Sequence, residues 1–130
     1  MKLAKALALG IVFLSILLCR LDGAFAVSRG DFAVKTARQL AELCSADPKD
    51  SDYIAAIHFC EGFLVGAYRY HLATLQGPDT RKVICLPDPM PSRDRAAADF
   101  SAWVASNPDD SGLDPVEAQF RWLVATWPCK

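Results

Sequence analysis

The chain has 130 residues, with 14 lysines and arginines against 15 aspartates and glutamates, and a formal net charge of −1. A chain of this length has room for one modest hydrophobic core, so a single domain is expected. A net charge this close to zero provides little attraction for a phosphate backbone, which argues against nucleic acid as a partner.

The first 26 residues have the pattern of a secretory signal peptide. Two lysines precede an uncharged, mostly apolar run at residues 6–18, and "AFA" at 24–26 offers a small-x-small cleavage site. The apolar run is about 13 residues long, short of the ~20 residues that span a bilayer. We therefore predict a signal peptide at residues 1–26 and one mature domain at residues 27–130, with no membrane association after cleavage.

Cysteine usage fits export. Cys19 leaves with the signal peptide; in a lipoprotein alternative it would carry lipid, but Leu18 stands where a small residue is normally required. The mature chain keeps four cysteines: Cys44, Cys60, Cys85 and Cys129. An even number in a small exported domain indicates two disulfides, and in a Gram-negative cell this predicts a periplasmic protein. Their spacing does not suit zinc, so neither a metal nor a cofactor is predicted.

Two helices are predicted in the first half of the mature chain. The first opens at "TARQ", where Thr36 and Gln39 form a capping box. The second runs from about Asp52 to Gln76 and ends before "GP". Because this second helix is apolar on nearly every side, we expect it to be the central helix.

Two further helices follow a proline-rich loop. Ser92 caps the third helix, and Asp114 caps the fourth with Pro115 at its first helical position. The predicted buried stripe of the third helix is Ala96, Phe100, Trp103 and Val104. The predicted stripe of the fourth is Val116, Phe120, Leu123, Val124 and Trp127.

The helix order narrows the three possible disulfide pairings. Short connections make neighbouring helices antiparallel, so Cys44 and Cys60 fall at one end and Cys85 and Cys129 at the other. We predict the pairs Cys44–Cys60 and Cys85–Cys129. The fold class is then all-α, a compact bundle of about four helices with two disulfides.

Three interpretations are open for the stretch "HFCEGFLVGAYRY", residues 58–70. It could be a membrane-spanning helix, a reactive centre, or a buried structural segment held by a disulfide. Its charged side chains make it a poor membrane span. His58 and Cys60 are two positions apart and point to different sides of a helix, so they do not form a nucleophile and base. Glu61 is interpreted as a solvated charge. No catalytic residue is predicted, and the stretch is interpreted as structural.

Gly62 and Gly66 in the same stretch have the GxxxG spacing. In a soluble helix this spacing lets another backbone approach closely. We predict helix packing at these two glycines, against either the first helix or a second copy of the chain.

Two acidic turns are the remaining candidates for a site. "DPKDSD" at residues 47–52 lacks the glycine and distal glutamate of a calcium loop and is interpreted as a turn. "NPDDSGLD", between the third and fourth helices, is expected to protrude, and loops on rigid scaffolds often carry binding residues. We predict partner contacts at this loop through Asn107, Asp109, Asp110, Ser111 and Asp114.

Four landmarks in order give a family resemblance: "TARQLAELC", "FCEGFLVGAY", "ICLPDP" and the terminal "WLVATWPCK". Over residues 34–130 the chain resembles the type VI secretion amidase immunity (Tai) family of periplasmic proteins. The resemblance implies a small helical protein, often dimeric, that sterically blocks a peptidoglycan amidase effector at its cysteine–histidine site. It implies a non-enzymatic protein with a protein partner and a homodimer as an option.

Two alternatives belong to other classes. One is a periplasmic acid-stress chaperone, which would release apolar surface when its carboxylates are protonated. The other is an exported structural or envelope-associated domain.

Overall fold

Four α-helices form the framework of the described chain: α1 (Ala37–Cys44), α2 (Tyr53–Thr74), α3 (Arg93–Ser106) and α4 (Pro115–Thr126). The computed structural model describes residues 26–78 and 80–130, so the predicted signal peptide at 1–26 lies, except for Ala26, outside the described residues. Short 3-10 helices occur at Arg29–Phe32 and Pro108–Asp110. Within the described ranges there is no β-strand, and only Ile84 and Pro128 form an isolated bridge. The all-α prediction is confirmed.

The helix starts follow the predicted capping residues. Thr36 Oγ1 accepts a hydrogen bond from the Gln39 amide at 3.3 Å, and Gln39 Oε1 accepts one from the Thr36 amide at 3.2 Å. The side chains of Ser92 and Asp114 likewise accept from first-turn amides of α3 and α4. Each such cap typically contributes ~1 kcal/mol, because it satisfies an amide that has no partner within the helix.

The short helix α1 lies at the centre, where it packs against α2, α3 and α4. Leu40 and Leu43 of this helix are wholly buried. The prediction that the second helix is central was wrong: its buried side chains all lie between Ala56 and Leu64, and residues 65–74 contribute none. The cause is length. Helix α1 spans about 12 Å and α2 about 33 Å, so the carboxyl-terminal half of α2 extends past its neighbour.

The predicted stripe of the third helix is largely confirmed. That of the fourth is confirmed in part: Leu123 is buried and Phe120 and Trp127 pack against the core, whereas Val116 and Val124 are exposed. Phe100 and Val104 of α3 are buried. In α4 the buried residues are Pro115, Ala118, Gln119, Trp122 and Leu123. Apolar residues cover two adjacent faces of α4, so helical periodicity alone fits either face. Edge-to-face contact of Trp122 with Phe100, at 5.6 Å between ring centroids, favours the observed one.

Both predicted disulfides are present. Cys44–Cys60 joins the end of α1 to the first half of α2, and Cys85–Cys129 joins the proline-rich loop to the carboxyl terminus. The second bridge is reinforced by backbone hydrogen bonds, including one from the Cys85 amide to the Trp127 carbonyl at 2.9 Å. Ile84 beside it is buried, so the loop is anchored in the core.

Candidate partner-binding surface

The histidine, cysteine and glutamate of "HFCEG" form no catalytic group. Cys60 is fully buried and bonded to Cys44, so it has no thiol to act as a nucleophile. His58 Nδ1 lies 3.6 Å from Glu61 Oε2, and the imidazole is largely exposed. The structural interpretation of this stretch agrees with the bonding of Cys60.

The burial of Glu61 differs from the prediction. We expected a solvated charge, but only 9% of the residue is exposed. It lies on the packed face of α2, four residues after Ile57 and three before Leu64. The spacing of those two apolar residues was the signal that could have identified its position. The carboxylate lies beside the imidazole of His58.

Neither a metal site nor a membrane span is present among the residues described. No three His, Cys, Asp or Glu side chains in residues 26–78 and 80–130 are grouped to hold a metal ion. In the same two ranges, no helix combines the length and the apolar character that crossing a bilayer requires.

Gly62 and Gly66 lie on an open face of α2. Both are exposed, and a methyl group added at either position would meet no atom of the described chain within 4 Å. Packing of these glycines against the first helix, one of the two options from the sequence, is therefore wrong. The physical reason is that Cys60 and Leu64 turn the opposite face of α2 toward the core. Packing against a second copy stays a prediction.

An apolar groove runs beside this face, between the carboxyl-terminal half of α2 and the start of α4. Its volume is about 600 Å³, and its lining comprises Gly66, Ala67, Tyr70, His71, Thr74, Val116 and Phe120. Tyr70 is 74% exposed, and the His71 and Phe120 rings are 4.9 Å apart. This groove was not predicted from the sequence. The sequence feature that could have indicated the groove is the apolar character of the second helix on nearly every side. We had interpreted that feature as the mark of a central helix.

The loop between α3 and α4 packs against α1 and does not protrude freely. The first two amides of α1, those of Ala37 and Arg38, donate to the carbonyls of Leu113 and Ser111 at 2.9 Å each. Ser111 is buried, and its Oγ accepts from the Arg38 guanidinium at 3.0 Å. The expectation of a protruding loop is thus wrong, because the unpaired amides at the start of α1 hold it down.

Most polar side chains predicted to bind a partner in this loop already have structural contacts. Asn107 donates to the Trp103 carbonyl at 2.7 Å, and Asp114 caps α4. Asp109 differs: it is exposed and makes no side-chain hydrogen bond to the residues that the structure describes. A partner contact by this loop stays a prediction, and Asp109 is the best-placed of its five residues.

Arg121 binds the loop to α4. Its guanidinium donates to Glu117 at 2.7 Å and to Asp110 at 2.8 Å. The hydrogen bond to Glu117, together with Coulombic attraction from Glu117 and Asp110, raises the pKa of Arg121. Asp110 therefore has a cationic partner, whereas Asp109 has none among the residues that the structure describes.

These features define an all-helical domain whose described part is held by two disulfides. The family described as Rap1a immunity proteins matches the chain over residues 36–129, a span that contains Cys44, Cys60, Cys85 and Cys129. The chain therefore belongs to the Rap1a immunity proteins, a family of type VI secretion immunity proteins. Membership implies that it binds a partner effector protein. Comparison with curated proteins and with solved structures found no match.

Proposed function

We propose that this chain is a periplasmic, non-enzymatic immunity protein that binds and sterically blocks a peptidoglycan amidase delivered by type VI secretion. The observation that carries the proposal is the family match, which extends from the cap of α1 to the last disulfide. The identity of the effector as an amidase is a more specific proposal than the immunity function. It is supported by the resemblance of "FCEGFLVGAY" and "ICLPDP" to the Tai family.

The two disulfides support the periplasmic location. Disulfides persist in the bacterial periplasm and are rare in the cytosol. Both bridges here join segments distant in sequence, 16 and 44 residues apart, so they restrict the unfolded chain substantially. A scaffold restricted in this way loses little conformational entropy on binding, as steric blocking of an active site requires.

The first experiment uses the chain expressed with its own amino terminus and recovered from the periplasm. It is mixed with a purified cysteine-peptidase-like amidase encoded beside its gene. We expect a complex in size-exclusion chromatography and loss of peptidoglycan hydrolysis at equimolar chain. Unchanged hydrolysis in excess chain would contradict the amidase proposal. If the chain instead prevents aggregation of unrelated proteins only in acid, the chaperone alternative replaces it.

We propose that the Asn107–Asp114 loop contacts the effector through Asp109. Asp109→Arg reverses an exposed charge that the described fold does not use, so it should weaken binding with little change in melting temperature. A loss of about tenfold or more in affinity is expected if the carboxylate pairs with a cation of the partner. Asp52→Arg is the matched control, because Asp52 is exposed and its side chain makes no capping hydrogen bond. Equal affinities of both variants and the wild type would remove the loop from the interface.

We propose further that the open face of α2 with Gly62 and Gly66 joins two copies of the chain. The adjacent apolar groove supports this, because grooves of this composition are commonly covered in oligomers. Gly62→Leu should abolish the dimer in analytical ultracentrifugation while the monomer stays folded, since open space surrounds the added side chain. Ala98→Leu, at an exposed position of α3, is the control. A dimer unchanged by Gly62→Leu would contradict the proposed face.

A further inference from the structure

Residue 27, the first residue of the proposed mature chain, is docked onto the fold. The Val27 amide nitrogen lies 2.8 Å from Asp50 Oδ2. Val27 is 8% exposed and belongs to a small apolar cluster with Leu43, Ala46 and Ala56. Ala26, immediately before it, is exposed. The chain therefore changes from exposed to docked at the predicted cleavage site.

Asp50 is arranged to receive this group. It lies in the acidic turn "DPKDSD", for which the immunity function offers no role. Its Oδ1 accepts from the Asp52 amide at 2.8 Å, which leaves Oδ2 for Val27. Asp47 in the same turn instead accepts from the Lys49 amide at 2.8 Å. The turn thus orients one carboxylate oxygen toward residue 27.

We infer that signal-peptide cleavage between Ala26 and Val27 completes the fold, by creating a terminal ammonium that forms an ion pair with Asp50. Water hydrolyses the peptide bond under signal peptidase, leaving a carboxylate on Ala26 and a protonated amine on Val27. The Val27 nitrogen then carries a positive charge in place of a neutral amide. The neutral amide of the precursor also donates to this carboxylate, but the terminal ammonium adds Coulombic attraction between two opposite charges, so the mature chain is held more firmly than its precursor.

The inference rests on the export step of the proposed function and is independent of the effector. Protein recovered from the periplasm is first examined by intact mass and amino-terminal sequencing, and Val27 is expected as residue one. A different first residue would overturn the inference and leave the immunity proposal unchanged. Conversely, a chain that begins at Val27 and binds no amidase would contradict the proposed function and support the inferred cleavage site.

The ion pair itself is tested by a double-mutant cycle. The cycle compares the same substitution in two backgrounds, the natural chain and an extended chain with one glycine inserted between Ala26 and Val27. The inserted glycine moves the ammonium one residue away and leaves Val27 with a neutral amide. Asp50→Asn should lower the folding equilibrium constant about fivefold to tenfold more in the natural background than in the extended one, because the attraction between the ammonium and the carboxylate is lost only there. If the substitution only weakened the hydrogen bond from the Asp52 amide, the loss of stability would be the same in both backgrounds. Equal losses would overturn the inference.

Two controls complete the design. Asp47→Asn should cost the same in both backgrounds, because Asp47 supports the turn through the Lys49 amide and is not bonded to Val27. If Asp50→Asn does not fold, the reactivity of the terminal amine with an acylating reagent replaces it. The natural mature chain should react several-fold more slowly than the glycine-extended chain, since its amine is engaged. Equal reactivity would contradict the ion pair.

Discussion

At the scale of single residues, the side chain of Gln119 is the clearest departure from an apolar core. It is only 1% exposed, and its Nε2 donates to the Leu64 carbonyl at 2.7 Å, which links α4 to α2. Its Oε1 is buried and has no hydrogen-bond partner in the described chain. A buried acceptor without a partner costs about 1–3 kcal/mol, which offsets what the single hydrogen bond contributes.

This balance predicts opposite results for two substitutions of Gln119. Gln119→Leu keeps the volume and removes the unpaired acceptor, and the Leu64 carbonyl retains its intrahelical partner. We expect stability within about 1 kcal/mol of the wild type or higher. Gln119→Ala leaves a cavity and should cost about 2–4 kcal/mol. Urea unfolding measures both, and a larger loss for Leu than for Ala would show that the hydrogen bond dominates.

At the scale of helices, α1 depends on its surroundings. A helix of eight residues is too short to be stable alone in water. Here the Thr36–Gln39 capping box closes one side of its amino terminus, and the α3–α4 loop accepts from the amides of Ala37 and Arg38. The loop that we expected to be a free binding segment is therefore also part of the cap of the central helix.

The cap predicts a graded loss of stability. Thr36→Ala removes the acceptor for the Gln39 amide and should lower the free energy of unfolding by about 1–2 kcal/mol. Thr36→Ser keeps the hydroxyl and should stay within about 0.5 kcal/mol of the wild type. Thermal unfolding followed by circular dichroism distinguishes the two. If both variants lose the same amount, the hydroxyl is not the stabilising group.

At the scale of the whole molecule, the two disulfides differ in exposure. Cys44 and Cys60 are buried, whereas Cys85 is exposed and Cys129 half-buried. Chain-entropy estimates give about 3 kcal/mol for the 16-residue loop and about 4 kcal/mol for the 44-residue loop. Together these are comparable with the net stability of a domain of this size, so reduction of both bridges should remove most of that stability.

The difference in exposure predicts the order of reduction. Under native conditions dithiothreitol should open Cys85–Cys129 before Cys44–Cys60, because attack on the buried bridge requires prior opening of the core. Alkylation followed by peptide mass spectrometry should find Cys85 and Cys129 labelled first, with helical circular dichroism retained. A variant with both Cys85→Ser and Cys129→Ser should show no labelling at that dose. Simultaneous labelling of all four cysteines would show that the fold opens as one unit.

The sequence by itself determined the features that depend on local chemistry. Helix starts follow from Thr36, Ser92 and Asp114, because a capping side chain needs only the amides of its own first turn. The disulfide pairing followed from helix order, since antiparallel neighbours leave each cysteine one partner within reach. The immunity family was also indicated by the sequence, because its landmarks are short and contiguous.

Only the tertiary structure decided which surfaces are buried. The central position of α1, the burial of Glu61, the groove beside Gly66 and the docking of Val27 on Asp50 all join segments far apart in the chain. They depend on the lengths and relative directions of the helices, which periodicity does not determine when a helix such as α2 is apolar on every side. Burial was decided by which face of each helix had a neighbour long enough to cover it.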